Sequence, residues 1–116
     1  YFSLMNAVSV MVGNSSSGII EAPSFGLPVV NIGTRQQGRT RGENVIDVGY
    51  SRHEIVMGIE KALLPEFRGP LCGLPNPYGD GHASDVIVRY LKEIPLEHRL
   101  IRKHFVDTLA LSAQTI

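Results

Sequence analysis

The sequence predicts an α/β fold built around a parallel sheet, and three observations carry that expectation. Two short, apolar, β-branched runs, at residues 7–12 and 27–32, have the composition of strands buried on both faces. Stretches with apolar residues at helical spacing alternate with them. The resulting order is strand, helix, strand, loop, strand, helix, helix, helix. Short strands alternating with helices pair in parallel, with the helices covering the sheet faces. Three strands are few for a doubly wound sheet, so the chain reads as part of a domain whose first half lies elsewhere. It also opens inside an apolar stretch without an initiating Met, as the tail of an earlier element would. We therefore expect a fragment of a longer protein, with residues 1–116 forming one piece of a domain.

Taken in order, AVSVMV at residues 7–12 is the first strand, and Gly13-Asn14 ends it. Ser15-Ser16-Ser17-Gly18 then precedes Ile19 and Ile20, which marks a helix start because small hydroxyl residues cap exposed N–H groups. Pro23 must stop or kink that helix, and Gly26 supplies the turn after it. LPVVNI at 27–32 is the second strand. Residues 33–42 form a basic loop with Arg35, Arg39 and Arg41, and residues 44–48 form a third, weaker strand. Ser51 and Glu54 have capping-box spacing, and Ile55, Val56, Ile59, Ala62 and Leu63 fall on one face of the helix they begin. Pro65 ends it. Residues 66–81, rich in proline and glycine, read as an irregular connection. Helix returns over residues 83–93 with Val86, Ile87, Tyr90, Leu91 and Ile94 at apolar spacing, and Pro95 breaks it. A last amphipathic helix is expected from Leu96 to about Leu109, using Leu100, Ile101, Phe105 and Leu109.

The bulk properties narrow the function classes. Hydrophobic residues make up 43% and charged residues 19%, a globular composition. Eleven basic residues balance eleven acidic ones, which gives no general drive toward nucleic acid or an anionic membrane. Any anion site must come from local geometry. The single cysteine, Cys72, permits neither an intrachain disulfide nor a cysteine metal cluster, and it fits a reducing, cytoplasmic compartment. No apolar run approaches the ~20 residues of a membrane span, and no secretory leader is visible.

The segment richest in chemistry is Gly13-Asn14-Ser15-Ser16-Ser17-Gly18, between a buried strand and a helix start. Unpaired N–H groups and the positive end of a helix dipole favour anions there. Strand-to-helix junctions of open α/β sheets also lie at the carboxyl edge, where ligands bind. With three hydroxyls added and glycines at both ends, the turn suits a phosphate. The same spacing equally suits a plain serine-rich N-cap, and neither a GK[ST] ending nor a G-x-G-x-x-G fingerprint is present.

Glu21, one to two turns into that helix, could accept both hydroxyls of a ribose beyond the phosphates, or simply be a solvated helix carboxylate. The loop at 33–42 should emerge at the same sheet edge and bring guanidinium forks toward the same anion, or be a solvated basic loop. Among His53, His82, His98 and His104 no pair stands at a metal-ligand spacing, and no Ser/His/Asp set or carboxylate pair is evident. We expect no metal, no cofactor and no proton-transfer residue in this chain.

VGNSSSGIIEAPSFGLPVVNIGTRQQGRTRGENVIDV, residues 12–48, resembles the hydrolysing UDP-N-acetylglucosamine 2-epimerases, and NPYGDGHAS, residues 76–84, is similar to a later motif of that family. The first motif is long and specific; the second is shared with the non-hydrolysing epimerases. The resemblance covers about residues 1–95. It implies a GT-B-type architecture of two Rossmann-like domains, with this chain as the second half of the C-terminal domain. It further implies cleavage of UDP-N-acetylglucosamine to UDP and N-acetylmannosamine with inversion at C2, feeding sialic acid synthesis.

By matching position, the resemblance implies that Ser15 and Ser16 hold the diphosphate, with Ser17 a weaker candidate. Glu21 would hold the ribose and Arg35 offset the charge of the UDP leaving group. The family's acid and base residues come mainly from the first domain. Homo-oligomers of the full-length protein are also implied. The non-hydrolysing branch has a DSGG-type turn where this chain has Asn14-Ser15-Ser16-Ser17, and the GTRQ-G-R loop also favours the hydrolysing branch. A UDP-sugar glycosyltransferase of GT-B type, an epimerase acting on a modified diacetamido UDP-sugar, and a non-catalytic nucleotide-binding module are the competing readings.

Overall fold

The computed structural model describes residues 1–102, apart from the side chain of Arg99. The described chain divides into two compact units, one over residues 1–81 and one beginning at residue 82. The first unit contains α1 (Phe2–Ala7), β1 (Met11–Gly13), α2 (Ser17–Ile20), a 3₁₀ turn (Ala22–Phe25), β2 (Val29–Ile32) and β3 (Val45–Val48). It continues with α3 (Arg52–Leu63), α4 (Pro65–Arg68) and a second 3₁₀ turn (Gly69–Leu71). The second unit contains α5 (Ala83–Glu93) and α6 (His98–Ile101).

The three strands form one parallel sheet in the order β1-β2-β3. Met11 pairs with Val29, and Val29 pairs with Val45. Because successive strand residues point to opposite faces, Val29 and Val30 serve different layers. Val29 faces α2: a Cβ on Gly18 would stand 2.7 Å from Val29 Cγ1, so only glycine lets α2 lie this close. Val30 faces α3 together with Val48, and a Cβ on Gly58 would stand 2.8 Å from Val48 Cγ1 and 3.0 Å from Val30 Cγ1. Helices therefore cover both faces of β2, in the manner of a partial Rossmann-like α/β domain. Met5, Ala22, Leu27 and Val29 form the buried core on one side, with Met11, Phe25 and Val45 packed against it. Asn44, itself buried, donates from Nδ2 to the carbonyl of Leu27 at 3.0 Å and so satisfies a buried acceptor at the entry to β2.

The expected elements occur in the expected order, but α1 and α4 were not among them and several bounds need correction. The strand expected over residues 7–12 begins only at Met11; Ala7 instead closes α1, and Val8 donates to the carbonyl of Leu4 at 3.0 Å. That strand is also not buried on both faces. As the outer strand of the described sheet it leaves Val12 42% exposed, whereas Val30 in the central strand is fully buried. The helix after the serines is a single turn that stops at Ile20, ahead of Pro23 as expected, and the chain then continues through Pro23 as a separate 3₁₀ turn. Proline is tolerated in a first helical turn, where its missing N–H would be unpaired anyway. Gly26 then ends the turn in the left-handed conformation, at φ 56°.

Pro65 likewise opens α4, so the stretch from 66 to 81 is not irregular throughout. On α3, Gly58 and Ala62 are buried and Ile55 and Ile59 partly so, while Val56 and Leu63 of the expected face are exposed. The contact face is centred on the small residues because they permit the close approach to Val30 and Val48. In the second unit α5 has the bounds expected for it, with Val86, Ile87, Tyr90, Leu91 and Ile94 along its exposed surface. Of the last expected helix, α6 is formed; Phe105 and Leu109, like His104, lie outside the described residues. No helix among the described residues is long and apolar enough to cross a membrane.

Candidate functional site

Since β1 and β2 run parallel, the segments leaving their carboxyl ends emerge at one edge of the sheet. The first is Asn14-Ser15-Ser16, leading into α2; the second is the arginine loop at 33–42. Two side chains of the arginine loop reach Asn14. Gln36 Nε2 donates to the Asn14 carbonyl at 2.8 Å, and Arg35 Nη1 approaches Asn14 Oδ1 at 3.5 Å, the outer limit of a hydrogen bond. The structure thus brings Arg35 against the serine turn.

Within the turn, Ser15 Oγ accepts the N–H of Ser17 at 3.3 Å, and the Ser16 carbonyl accepts the N–H groups of both Ile19 and Ile20 at 2.9 Å. The N–H groups of Ser15 and Ser16 make no hydrogen bond among the described residues. Ser15 is exposed, and Ser16 and Ser17 are partly buried. Hydroxyls can donate while accepting, so all three remain able to donate to an incoming anion. Arg35 is exposed, and a guanidinium has five N–H donors in a planar fork. These donors suit a diphosphate, which presents oxygen acceptors on two linked centres. One premise of the sequence argument changes: α2 has four residues, too few for a substantial macrodipole. Attraction for an anion at this turn must rest on N–H groups, hydroxyls and the guanidinium.

Glu21 stands where α2 gives way to the 3₁₀ turn, its N–H donating to the Ser17 carbonyl at 3.0 Å. It is one turn past Ser17, at the end of the helix rather than inside a longer one. Its Oε2 is buried without a hydrogen-bond partner among the described residues. Leaving a buried acceptor unpaired costs about 1–3 kcal/mol, so the carboxylate is suited to receive hydroxyl donors from outside this chain segment.

The other two arginines of the loop have different places. Arg41 does not turn toward the serine turn. It forms an ion pair with Asp47 and donates from Nη2 to the Gln36 carbonyl at 2.7 Å. Asp47 Oδ1 also accepts from Asn31 Nδ2 at 2.7 Å, and Asn31 is 1% exposed. Arg41 is thereby engaged in holding the loop to the sheet, and Arg39 is exposed. Of the three guanidinium groups, Arg35 is the one brought into contact with Asn14, and Arg41 is engaged elsewhere.

Sequence reasoning passed over Gln36, which is 3% exposed and fixes the contact between the two loops. Nothing in its local sequence separates it from Gln37. It also passed over Tyr50, whose hydroxyl accepts the Thr34 N–H at 3.3 Å; hydrogen bonding from Thr34 holds this phenol below its ordinary range.

His82 precedes α5, with Nδ1 3.4 Å from Asp85 Oδ2, and His53 is exposed on α3. Among the described residues no group of three His, Cys, Asp or Glu side chains is placed to hold a metal ion. A cavity of about 200 Å³ lined by Pro23, Gly42, Asn44, Leu71 and Leu74 includes none of the three serines.

Comparison with known proteins follows the same residues. The model of the UDP-N-acetylglucosamine 2-epimerase family matches residues 1–92. The chain is 48% identical over 94 residues to the UDP-N,N'-diacetylbacillosamine 2-epimerase (hydrolyzing) of Legionella pneumophila, covering 81% of this chain and 24% of that protein. It is 40% identical over 108 residues to the GDP/UDP-N,N'-diacetylbacillosamine 2-epimerase (hydrolyzing) of Campylobacter jejuni, covering 92% and 27%. It is 36% identical over 107 residues to the polysialic acid biosynthesis protein P7 of Escherichia coli, again covering 92% and 27%. The chain spans about a quarter of the length of these relatives. With the family match extending from the first residue to residue 92, within α5, the chain belongs to the UDP-N-acetylglucosamine 2-epimerase family.

Proposed function

We propose that this chain is the UDP-binding part of a hydrolysing UDP-sugar 2-epimerase that converts UDP-N-acetylglucosamine and water into N-acetylmannosamine and UDP. The observation that carries the reading is the meeting of the serine turn and the arginine loop at one sheet edge, through Asn14, Arg35 and Gln36. Ser15 and Ser16 bind the diphosphate with their hydroxyls and open N–H groups, and Ser17 adds a weaker contact. Arg35 neutralises the charge that develops on UDP as it leaves, a role suited to a preorganised guanidinium. Glu21 accepts the ribose hydroxyls, which supports the reading because its buried Oε2 otherwise has no donor among the described residues.

The reaction removes the proton at C2 and expels UDP anti to it, and water then adds to the resulting glycal to leave the inverted C2. The acid and base for these steps belong to the rest of the full-length protein, a cytoplasmic homo-oligomer of GT-B type in which this chain is the second half of the C-terminal domain. The product supplies sialic acid synthesis. The family match supports this reading over a glycosyltransferase that would hold UDP in the same way.

A second reading concerns the sugar alone. Two of the relatives, at 48% and 40% identity, are named for a UDP-linked diacetamido sugar. The residues assigned above touch the nucleotide, so the site serves either sugar equally. Incubation of the full-length protein with UDP-N-acetylglucosamine, followed by NMR, tests the proposal. Release of UDP together with N-acetylmannosamine supports it. Equilibration to UDP-N-acetylmannosamine without release of UDP moves the protein to the non-hydrolysing branch. No reaction with this sugar, but turnover of the diacetamido analogue, selects the second reading. A glycosylated acceptor would overturn both.

A further inference from the structure

Residues 76–78 cross from the end of α2, beside Glu21, to the arginine loop. Asn76 Nδ2 donates to the Ile20 carbonyl at 2.8 Å and to Ser24 Oγ at 2.7 Å. Asn76 Oδ1 accepts the N–H of Tyr78 at 2.9 Å, a local turn that fixes one residue relative to the other. Tyr78 in turn donates its hydroxyl proton to the Thr40 carbonyl at 2.9 Å. One end of this strap therefore grips the last residue of α2, directly before Glu21, and the other grips the arginine loop.

We propose that Asn76 and Tyr78 are positioning residues for UDP, a strap that sets Glu21 and the Arg35 loop at a fixed separation. The inference rests on the UDP-binding reading above and deepens it. The Ile20 carbonyl lies at the end of a one-turn helix, where carbonyls lack helical partners. Asn76 supplies that partner from 56 residues further along the chain. The arginine loop is otherwise held by Gln36 on Asn14, by Arg41 on Asp47 and by the Thr34 N–H on the Tyr50 hydroxyl. Tyr78 adds a hold on Thr40 from a different segment, which limits the hinging of the loop about those anchors. Tyr78 is 43% exposed. Removing the Tyr78 hydroxyl therefore leaves the packed core untouched.

The test titrates UDP into the full-length wild type, Tyr78→Phe, Asn76→Asp, Arg35→Ala and the Tyr78→Phe/Arg35→Ala double variant, with the thermal transition of each recorded. Asn76→Asp keeps the oxygen that Tyr78 uses and loses both Nδ2 donations. We expect Tyr78→Phe and Asn76→Asp each to weaken UDP binding by about three- to tenfold, the range set by one hydrogen bond, with the thermal transition of Tyr78→Phe unchanged. In the Arg35→Ala background, Tyr78→Phe should cost nothing further, because residues acting through one another are not additive. Full additivity of the two losses, or an unchanged affinity in Tyr78→Phe, would overturn the strap while leaving the UDP site intact. Failure of the wild type itself to bind UDP would remove the underlying reading and the strap with it.

Discussion

The Ser16 carbonyl accepts the N–H groups of Ile19 and Ile20, and its own N–H makes no hydrogen bond among the described residues. Truncating the side chain leaves the backbone duties intact, so Ser16→Ala isolates the hydroxyl. In the full-length protein it should weaken UDP binding by roughly 1–3 kcal/mol, as expected for a hydrogen bond to a charged phosphate. Calorimetry showing an unchanged affinity would count against the cradle. Arg35→Ala should lower turnover while the thermal transition stays in place, since Arg35 is exposed and makes one marginal contact. Loss of the transition would make it a structural residue instead. Gly18→Ala belongs to packing: its Cβ would press on Val29, and overpacking of this kind costs about 1–3 kcal/mol in a chemical denaturation curve. Three neighbouring residues thus separate by readout into binding, turnover and stability. The Ser15–Ser17 cluster and Arg35 stand out in the sequence as candidates because their residue types suit an anion. Asn76 and Tyr78 stand out only as part of the motif at 76–84, and Gln36 not at all, because ordinary polar side chains acquire their contacts only from what lies opposite them.

Among the elements, α3 shows the closest match between local code and structure. Ser51 Oγ accepts the N–H of Glu54 at 3.2 Å and donates to its carboxylate, so the S-x-x-E pair caps α3 with both bonds made through the Ser51 hydroxyl. Ser51→Ala should cost about 1 kcal/mol of unfolding free energy. The Ser51 hydrogen bonds hold the Glu54 carboxyl below its ordinary range. A depressed carboxyl pKa contributes stability that is complete above the unfolded value and fades as pH falls through the folded one. Acid titration of Glu54→Gln should therefore show a smaller loss of stability at low pH than the parent shows, and equal losses would discount the cap. The short helices were harder to read. Pro23 and Pro65 look like terminators in sequence, yet each sits in a first turn and starts a new helical segment. Proline forbids a bond to the preceding turn without forbidding the turn that follows.

For the molecule as a whole, exposed apolar surface sets the behaviour of the isolated chain. β1 is an outer strand with Val12 exposed, and Phe2, Leu4 and the apolar residues of α5 are exposed as well. Open strand edges and apolar patches promote association. Residues 1–116 expressed alone should therefore self-associate, measured as a concentration-dependent mass in light scattering; a monomer at all concentrations would contradict this. The sequence by itself determined the element order and parallel pairing, the α3 cap, the bounds of α5 and the family, because these reside in local periodicity, capping chemistry and long motifs. Tertiary structure decided the rest. It placed Arg35 beside Asn14 and diverted Arg41 to Asp47, it left a Glu21 oxygen without a partner among the described residues, and it drew Asn76 to the end of α2 and Tyr78 to the arginine loop. Those outcomes depend on which groups meet after the chain has folded, and residues 38 to 56 positions apart leave no mark of that meeting in local sequence.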